Sequence, residues 1–394
     1  MQHPHIALSG AGHRDANAQT IDIPLYAIRH GRIGGTEFAI YNLIRGLADA
    51  GARLAVDYGK DADLSPDFIG WARGHSGISL HRRGGLPGPK DVRFLEESWF
   101  ANRGGSGRWA LYPNYFCPPT LWSRRRRCVI LHDIQYKRYP EYHSPKRIAW
   151  LDHHLPRMFR AADAVILISH SELALVREYF GEEAAARCDV VHNAIDFDRL
   201  ESGSDTGGDA LNAMLDRPYI LSVCHQFPHK NVGTLLRAFA IVAERMPDVQ
   251  LYMVGSASEA NQTFIRAALP AHLHDRVRVT GFVSDADLGR FYARARLFVL
   301  PSLYEGFGMP AVEALGLGVP TLVSNAYALP EVTMGHARLV DALHDPESWA
   351  SSIRTMLESG ERPAPDVVAH VRSTYAPRAK AEALLTALRA REAA

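Results

Sequence analysis

The stretch "RLFVLPSLYEGFGMPAVEAL" (296–315) reads as a short apolar strand, a glycine-bearing loop and the start of a helix. Pro310 fits the first helical position, where its missing N–H is one that the helix would leave unpaired anyway. A strand that feeds a helix through a tight loop is the unit from which helix-covered parallel sheets are wound. Two carboxylates frame the junction, Glu305 in the loop and Glu313 in the early turns of the helix. Between them Gly306 and Gly308 expose backbone N–H groups, and a helix N-terminus of this kind attracts phosphate. Glu313 has the position from which an acidic residue can hold a ribose diol in dinucleotide folds. The plainer alternatives are that Glu313 complements the helix dipole and that Glu305 is a surface loop carboxylate.

The same rhythm extends in both directions. In the first half, strands are predicted over 21–28, 53–59, 77–81, 110–114, 128–133, 164–169 and 189–193, with helices over 36–50, 146–162 and 171–180. The stretch "ESGSDTGGDALNAMLDR" (201–217) is rich in Gly, Ser and Asp and reads as a linker. A second series then places strands over 219–224, 249–255, 277–283, 296–302 and 320–325. Helices fall over 231–246 and 285–294, the latter opened by Ser284 as N-cap. The expected fold is α/β, two doubly wound domains facing one another: 1–200, a linker at 201–217, and 218–375. A last helix over 376–394 can cross back to the first domain. In such sheets ligands bind beyond the carboxyl ends of the strands.

Bulk properties narrow the function classes. The chain has 394 residues, 47% of them apolar, and its 44 basic and 43 acidic side chains leave a net charge of +1. Two domains are the prior at this length, and the balanced charge disfavours nucleic acid as a partner. No apolar run approaches the ~18 residues of a membrane helix, and "MQHPHIALSGAGHRD" lacks the apolar core of a signal peptide. The 4 cysteines form no C-x-x-C pair, so neither a zinc site nor a disulfide scaffold is expected. A cytoplasmic protein is the expectation.

Two further junctions suit anions. Gly31, Gly34 and Gly35 follow the first strand and open the first helix, where they permit close approach of a ligand to the backbone. The pattern is not G-x-G-x-x-G, and packing alone can explain it. "SVCHQFPHKN" (222–231) follows the first strand of the second half and ends in Lys230, a cation able to neutralise phosphate or simply a solvated lysine.

With these residues in place, the chain resembles the retaining GT-B glycosyltransferases of family four, the group 1 enzymes that include bacterial polysaccharide mannosyltransferases. "EGFGMPAVE" (305–313) looks like that family's E-x7-E motif. "ILSVCHQFPHKN" (220–231) is similar to its element at the donor phosphates, and 278–302 to the segment leading into E-x7-E. "RIGGTEFAIYNLIRGLADAG", "VILHDIQYKRYPEYH", "AADAVILISHSE" and "VVHNAID" follow the family's order in the first half. The resemblance implies a GT-B architecture and transfer of a hexose, mannose favoured, from a nucleotide diphosphate sugar to a glycan or lipid-linked acceptor. GDP-mannose is the favoured donor and a UDP-hexose the alternative.

Position by position, the resemblance implies that Glu305 and the amides of Gly306, Phe307 and Gly308, with Met309 beside them, hold the donor sugar, and that Glu313 binds the ribose. Lys230 would pair with the diphosphate, Gly34 and Gly35 would close over it, and His132 would stand near the transferred sugar. Phe282 and Val283 lie where the base rests against backbone. One departure is His225, where the family commonly has arginine. An imidazole titrates near neutrality and a guanidinium does not, so donor binding through His225 should improve as pH falls toward 6. Equal donor affinity at pH 6 and 8 would refute this.

The resemblance also implies front-side attack by the acceptor hydroxyl, with Glu305 positioning and not attacking. No metal or cofactor is expected. The D-x-D tripeptides at 61–63, 196–198 and 285–287 read as turn and capping chemistry. "RRRR" (124–127) suits anionic lipid headgroups at the inner face of a membrane or a solvated edge. His153 and His154 are adjacent on a helix and make a poor metal pair. A sugar-nucleotide epimerase of similar fold and a catalytically weak donor-binding protein are the rival readings; product formation with a sugar acceptor separates them.

Overall fold

The computed structural model describes residues 20–26, 28, 30–31, 34–60, 63–83, 107–113, 117, 125–201, 209–224 and 228–393. Among the described residues, thirteen strands form two sheets. The first contains β1 (Thr20–Pro24), β2 (Arg53–Tyr58), β3 (Ile78–Arg82), β4 (Trp109–Tyr112), β5 (Arg126–Leu131), β6 (Ala164–Leu167) and β7 (Cys188–Val190). The second contains β8 (Tyr219–Val223), β9 (Gln250–Val254), β10 (Val277–Val279), β11 (Leu297–Leu300), β12 (Thr321–Ser324) and β13 (Arg338–Val340). Their orders are β3-β2-β1-β4-β5-β6-β7 and β10-β9-β8-β11-β12-β13, with parallel pairing throughout. Each order reverses once, between β1 and β4 and between β8 and β11. Those switch points are where parallel sheets leave a crevice for ligands.

The central strands β4, β6, β9, β11 and β12 are buried along their whole length, as parallel strands covered on both faces must be. Ser284 caps helix Asp285–Arg294 as expected, its hydroxyl accepting the Asp287 N–H. The sequence reading runs β10 too far. Gly281 adopts φ +78, and a left-handed residue there turns the chain out of the sheet.

Two other stretches contribute to packing. The stretch 201–217 is not all linker, because helix Asp209–Leu215 lies inside it. Leu215 enters the second core, and the Met214 carbonyl accepts the Tyr252 hydroxyl at 2.7 Å. Three described residues of the arginine run serve the fold. Arg125 meets Asp22 at 2.5 Å, Arg127 lies 3.7 Å from Asp163, and the Arg126 guanidinium covers Trp109 at 5.9 Å. Arg126 also donates to the backbone carbonyls of Arg391 and Glu392.

The two domains are joined by more than the connecting chain. One cluster of buried apolar side chains runs from Ile44 and Leu47 of helix Gly35–Asp49 to Phe307, Met309 and Val312 of the second domain, and on to Tyr375 and Leu384. Helix Pro377–Ala393 packs against helix Gly35–Asp49; a Cβ at Gly46 would stand 2.0 Å from the Pro377 carbonyl oxygen. Among the described residues no helix is long and apolar enough to cross a membrane.

Candidate active site

Lys230 and Glu305 emerge from the carboxyl ends of β8 and β11, the two strands flanking the second switch point. Their side chains meet there. Lys230 Nζ donates to Glu305 Oε1 at 2.7 Å, and the Ser302 hydroxyl donates to the same oxygen at 2.6 Å. The pair is largely shielded from water, and His229 beside it is pushed down to about 4 by burial and then by the Lys230 charge. His229 is therefore neutral, and among the described residues Lys230 is the cation that meets Glu305.

Helix Met309–Gly316 begins immediately beyond. Its N-cap, Gly308, has φ +91, and a Cβ there would stand 2.6 Å from Leu329 Cδ2. A non-glycine residue in that conformation costs roughly 1–2 kcal/mol before any clash. The helix of the first domain starts opposite, from Gly34 with φ 61. A Cβ on Gly35 would lie 3.4 Å from Met309 Sδ. Two helix N-termini, one from each domain, thus approach the same junction.

His132 stands at the end of β5, 5% exposed, with Nε2 3.0 Å from the Pro113 carbonyl oxygen. That contact puts the ring proton on Nε2. Burial, partly opposed by the Pro113 contact, lowers its pKa, so the ring is neutral. The His132 backbone carbonyl faces the second domain, and a Cβ at Gly306 would come within 2.6 Å of it. Glycine at 306 is what lets the two loops touch.

Glu313 is placed otherwise. It is 4% exposed; Oε1 takes a charge-assisted hydrogen bond from Arg199, and Oε2 accepts the Tyr292 hydroxyl at 2.9 Å. Arg199 also meets Asp285 at 2.5 Å and lies 4.5 Å from the ring of Phe38. Burial pulls the Arg199 pKa down, but Glu313 and Asp285 outweigh it and raise the value. Phe282 is 72% exposed beside half-buried Val283. Phe307 is buried, its ring packed on His192 and Tyr375. His225 lies outside the described residues.

Three site residues were missed in the sequence. Glu331, from helix Ala328–Val332, accepts the N–H groups of His170 at 2.9 Å and Ser171 at 3.1 Å, and meets His192 Nε2 at 2.6 Å. A second-domain carboxylate thus caps a first-domain helix. Arg199 sits in a short helical turn and carried no motif. Glu172 is enclosed between the domains. Its "SHSE" context has the S-x-x-E spacing of a capping box, a signal that points to local capping and away from the cleft. The Asp residues of the two fully described D-x-D tripeptides are engaged in the fold: Asp285 with Arg199, Asp287 with Ser284, Asp196 with Arg45 and Asp198 with Arg372.

Comparison with known proteins agrees with this geometry. Residues 209–365 match the model described as "Glycosyl transferases group 1", and residues 33–199 match "Glycosyltransferase Family 4". The O-antigen chain mannosyltransferase B of Escherichia coli is 28% identical over 256 residues, 62% of this chain and 64% of that enzyme's length. The sucrose-phosphate synthase structure from Thermosynechococcus elongatus superposes with TM-score 0.73 at 19% identity, covering 95% of this chain and 99% of the other. Anabaena HepE in complex with UDP-glucose superposes with TM-score 0.69 at 18% identity, covering 94% and 99%. The fold is the GT-B arrangement of two Rossmann-like domains, the first matching the family 4 glycosyltransferase model and the second the group 1 glycosyltransferase model.

Proposed function

We propose that the protein transfers a hexose, with mannose the favoured sugar, from a nucleotide diphosphate donor to a glycan or lipid-linked saccharide, with retention of configuration and without a metal. The observation that carries this reading is the Lys230–Glu305 pair at the second switch point, next to the N-terminus of helix Met309–Gly316. The mannosyl preference draws on the E. coli relative, and the nucleotide diphosphate donor on the UDP-glucose complex of the structural neighbour.

Departure of a nucleoside diphosphate builds negative charge on the leaving oxygen and positive charge on the sugar ring. Lys230 and the amides at Gly308–Met309 are preorganised for the first. Glu305 holds Lys230 in the free protein and has an oxygen for the sugar hydroxyls once phosphate competes for the ammonium. In front-side transfer the C1–O bond to the diphosphate breaks and the C1–O bond to the acceptor forms on the same face. The acceptor's proton passes to the leaving phosphate oxygen. Glu305 is not the nucleophile; a trapped glycosyl adduct on it would refute this. Glu313, held by Arg199 and Tyr292, keeps unused acceptor capacity on each oxygen for a ribose diol.

The test is a panel of nucleotide sugars read by nucleotide release and thermal stabilisation. Release from GDP-mannose, in chelator as well as without it, is expected. A protein that neither binds nor hydrolyses any nucleotide sugar would overturn the reading.

A further inference from the structure

Glu172 lies in the first turn of helix His170–Phe180 of the first domain and is 0% exposed. Its contacts reach both loops that carry the site. Oε2 accepts the Ile134 N–H at 3.1 Å, two residues beyond His132. Oε1 shares a hydrogen bond with the hydroxyl of Tyr304, the residue before Glu305. A Cβ on Gly306 would stand 3.3 Å from that same Oε1. Ser169 completes the contact: its hydroxyl donates to the Gly306 carbonyl at 2.8 Å and accepts the Glu172 N–H at 3.2 Å.

We propose that Glu172 is a positioning residue for sugar transfer: it seats the Tyr304–Gly306 segment, and Glu305 with it, against the His132–Ile134 turn across the domain boundary. The inference rests on the transferase reading above, and it names a residue through which the first domain sets the geometry of the second domain's loop. A displacement of about 1 Å at such a loop can cost on the order of 100-fold in rate.

Ionisation of Glu172 would place a second negative charge in a buried site beside Asp133 of the 132–134 turn. Burial and then the Asp133 charge push the Glu172 carboxyl up to about 8, against the pull of Tyr304 and Ile134. The Tyr304 hydroxyl and the Ile134 N–H favour the carboxylate, but the other groups on the elements packed against it bring no counter-charge. On the 132–134 turn, His132 is neutral and Asp133 has the same sign. On the 302–306 loop, Tyr304 is uncharged and Glu305 is held by Lys230. The rings of Tyr139 and Tyr327 pack on Tyr304 at 6.0 and 4.5 Å, and Arg138 is engaged with the Tyr327 hydroxyl at 2.9 Å. On its own helix, His170 and Ser171 give their N–H groups to Glu331.

The sign follows from the raised value. Between the ordinary carboxyl range near 4.5 and about 8 the folded protein keeps a proton that the unfolded chain has released, so Glu172's contribution to stability falls as pH rises across that window. Above about 8 the seat itself ionises, and transfer should fall.

The experiment compares kcat and KM from pH 6 to 9.5 in the full chain and in Glu172→Gln, Glu172→Ala and Tyr304→Phe. The wild-type rate is expected to fall about tenfold per pH unit above the titration of a single group. Glu172→Gln, which cannot ionise, should lose that fall and stay within about threefold of wild type at pH 7. Glu172→Ala should lower kcat by roughly 10- to 100-fold with donor KM nearly unchanged, and Tyr304→Phe should lower it less. An alkaline fall that persists in Glu172→Gln, or wild-type kcat in Glu172→Ala, would overturn the proposal. Hydrogen exchange of the 303–307 amides, corrected for intrinsic rates, needs no substrate. Protection should fall between pH 6 and 8 in the wild type and level off above that, with no such fall in Glu172→Gln, and identical profiles would overturn the proposal. If the wild type consumes no nucleotide sugar, the transferase reading fails by itself, and the exchange data still judge Glu172.

Discussion

Glu305 and Glu313 stand on one loop-to-helix junction, and each meets a cation, but the two cations are held very differently. Lys230 ends the short 3-10 helix Pro228–Lys230 at the switch point, carries a compact charge on a flexible stem, and touches Glu305 through one oxygen. Arg199 is fixed between Glu313, Asp285 and the Phe38 ring, with Tyr292 completing the carboxylate's shell. A point charge of that kind can move to a phosphate, whereas a guanidinium in a fork cannot turn without breaking several contacts. Under the proposed function, exchange and chemistry belong to the Glu305 end and rigidity to the Glu313 end.

Substitutions that remove the cations separate the two ends. Lys230→Ala should lower kcat/KM by about 10²–10³-fold, the usual loss for one preorganised electrostatic partner; a loss under tenfold would move the chemistry elsewhere. Arg199→Ala leaves Glu313 buried without its cation and should cost about 3–5 kcal/mol in denaturant unfolding. Glu313→Gln in that background should recover most of the loss. An equal stability loss in Lys230→Ala would erase the distinction between the ends. Gly306→Ala puts a Cβ 2.6 Å from the His132 carbonyl, and should cost roughly 1–3 kcal/mol by overpacking while lowering kcat more than donor affinity.

The smallest effect is at the other domain contact. Burial works to raise the Glu331 pKa, but the His192 contact and the His170 and Ser171 amides prevail and lower it below the usual 4.5. Its contribution is present above 4.5 and lost as pH falls through the folded value. The melting temperature should therefore decline below pH 4.5 in the wild type and less steeply in Glu331→Gln.

Much of the fold was legible because glycine and proline punctuate short apolar strands. Helix 285–294 and the junction at 301–315 stand where the sequence put them. Strand β13 is three residues with one exposed end, too little for periodicity to register. Helix Asp209–Leu215 hides in a polar stretch because its stability comes from packing on the second domain, not from its own pattern. Lys230 and Glu305 were legible because each closes a strand-loop-helix unit. Glu172, Arg199 and Glu331 were not, because their meaning arises only when segments more than a hundred residues apart meet.

The most direct test is to incubate the protein with GDP-mannose and a mannoside acceptor, following GDP release and the new linkage's anomeric configuration by NMR. The account predicts one GDP per linkage and the donor's α configuration retained in the product. GDP release with no linkage formed, or a β-linked product, would contradict it.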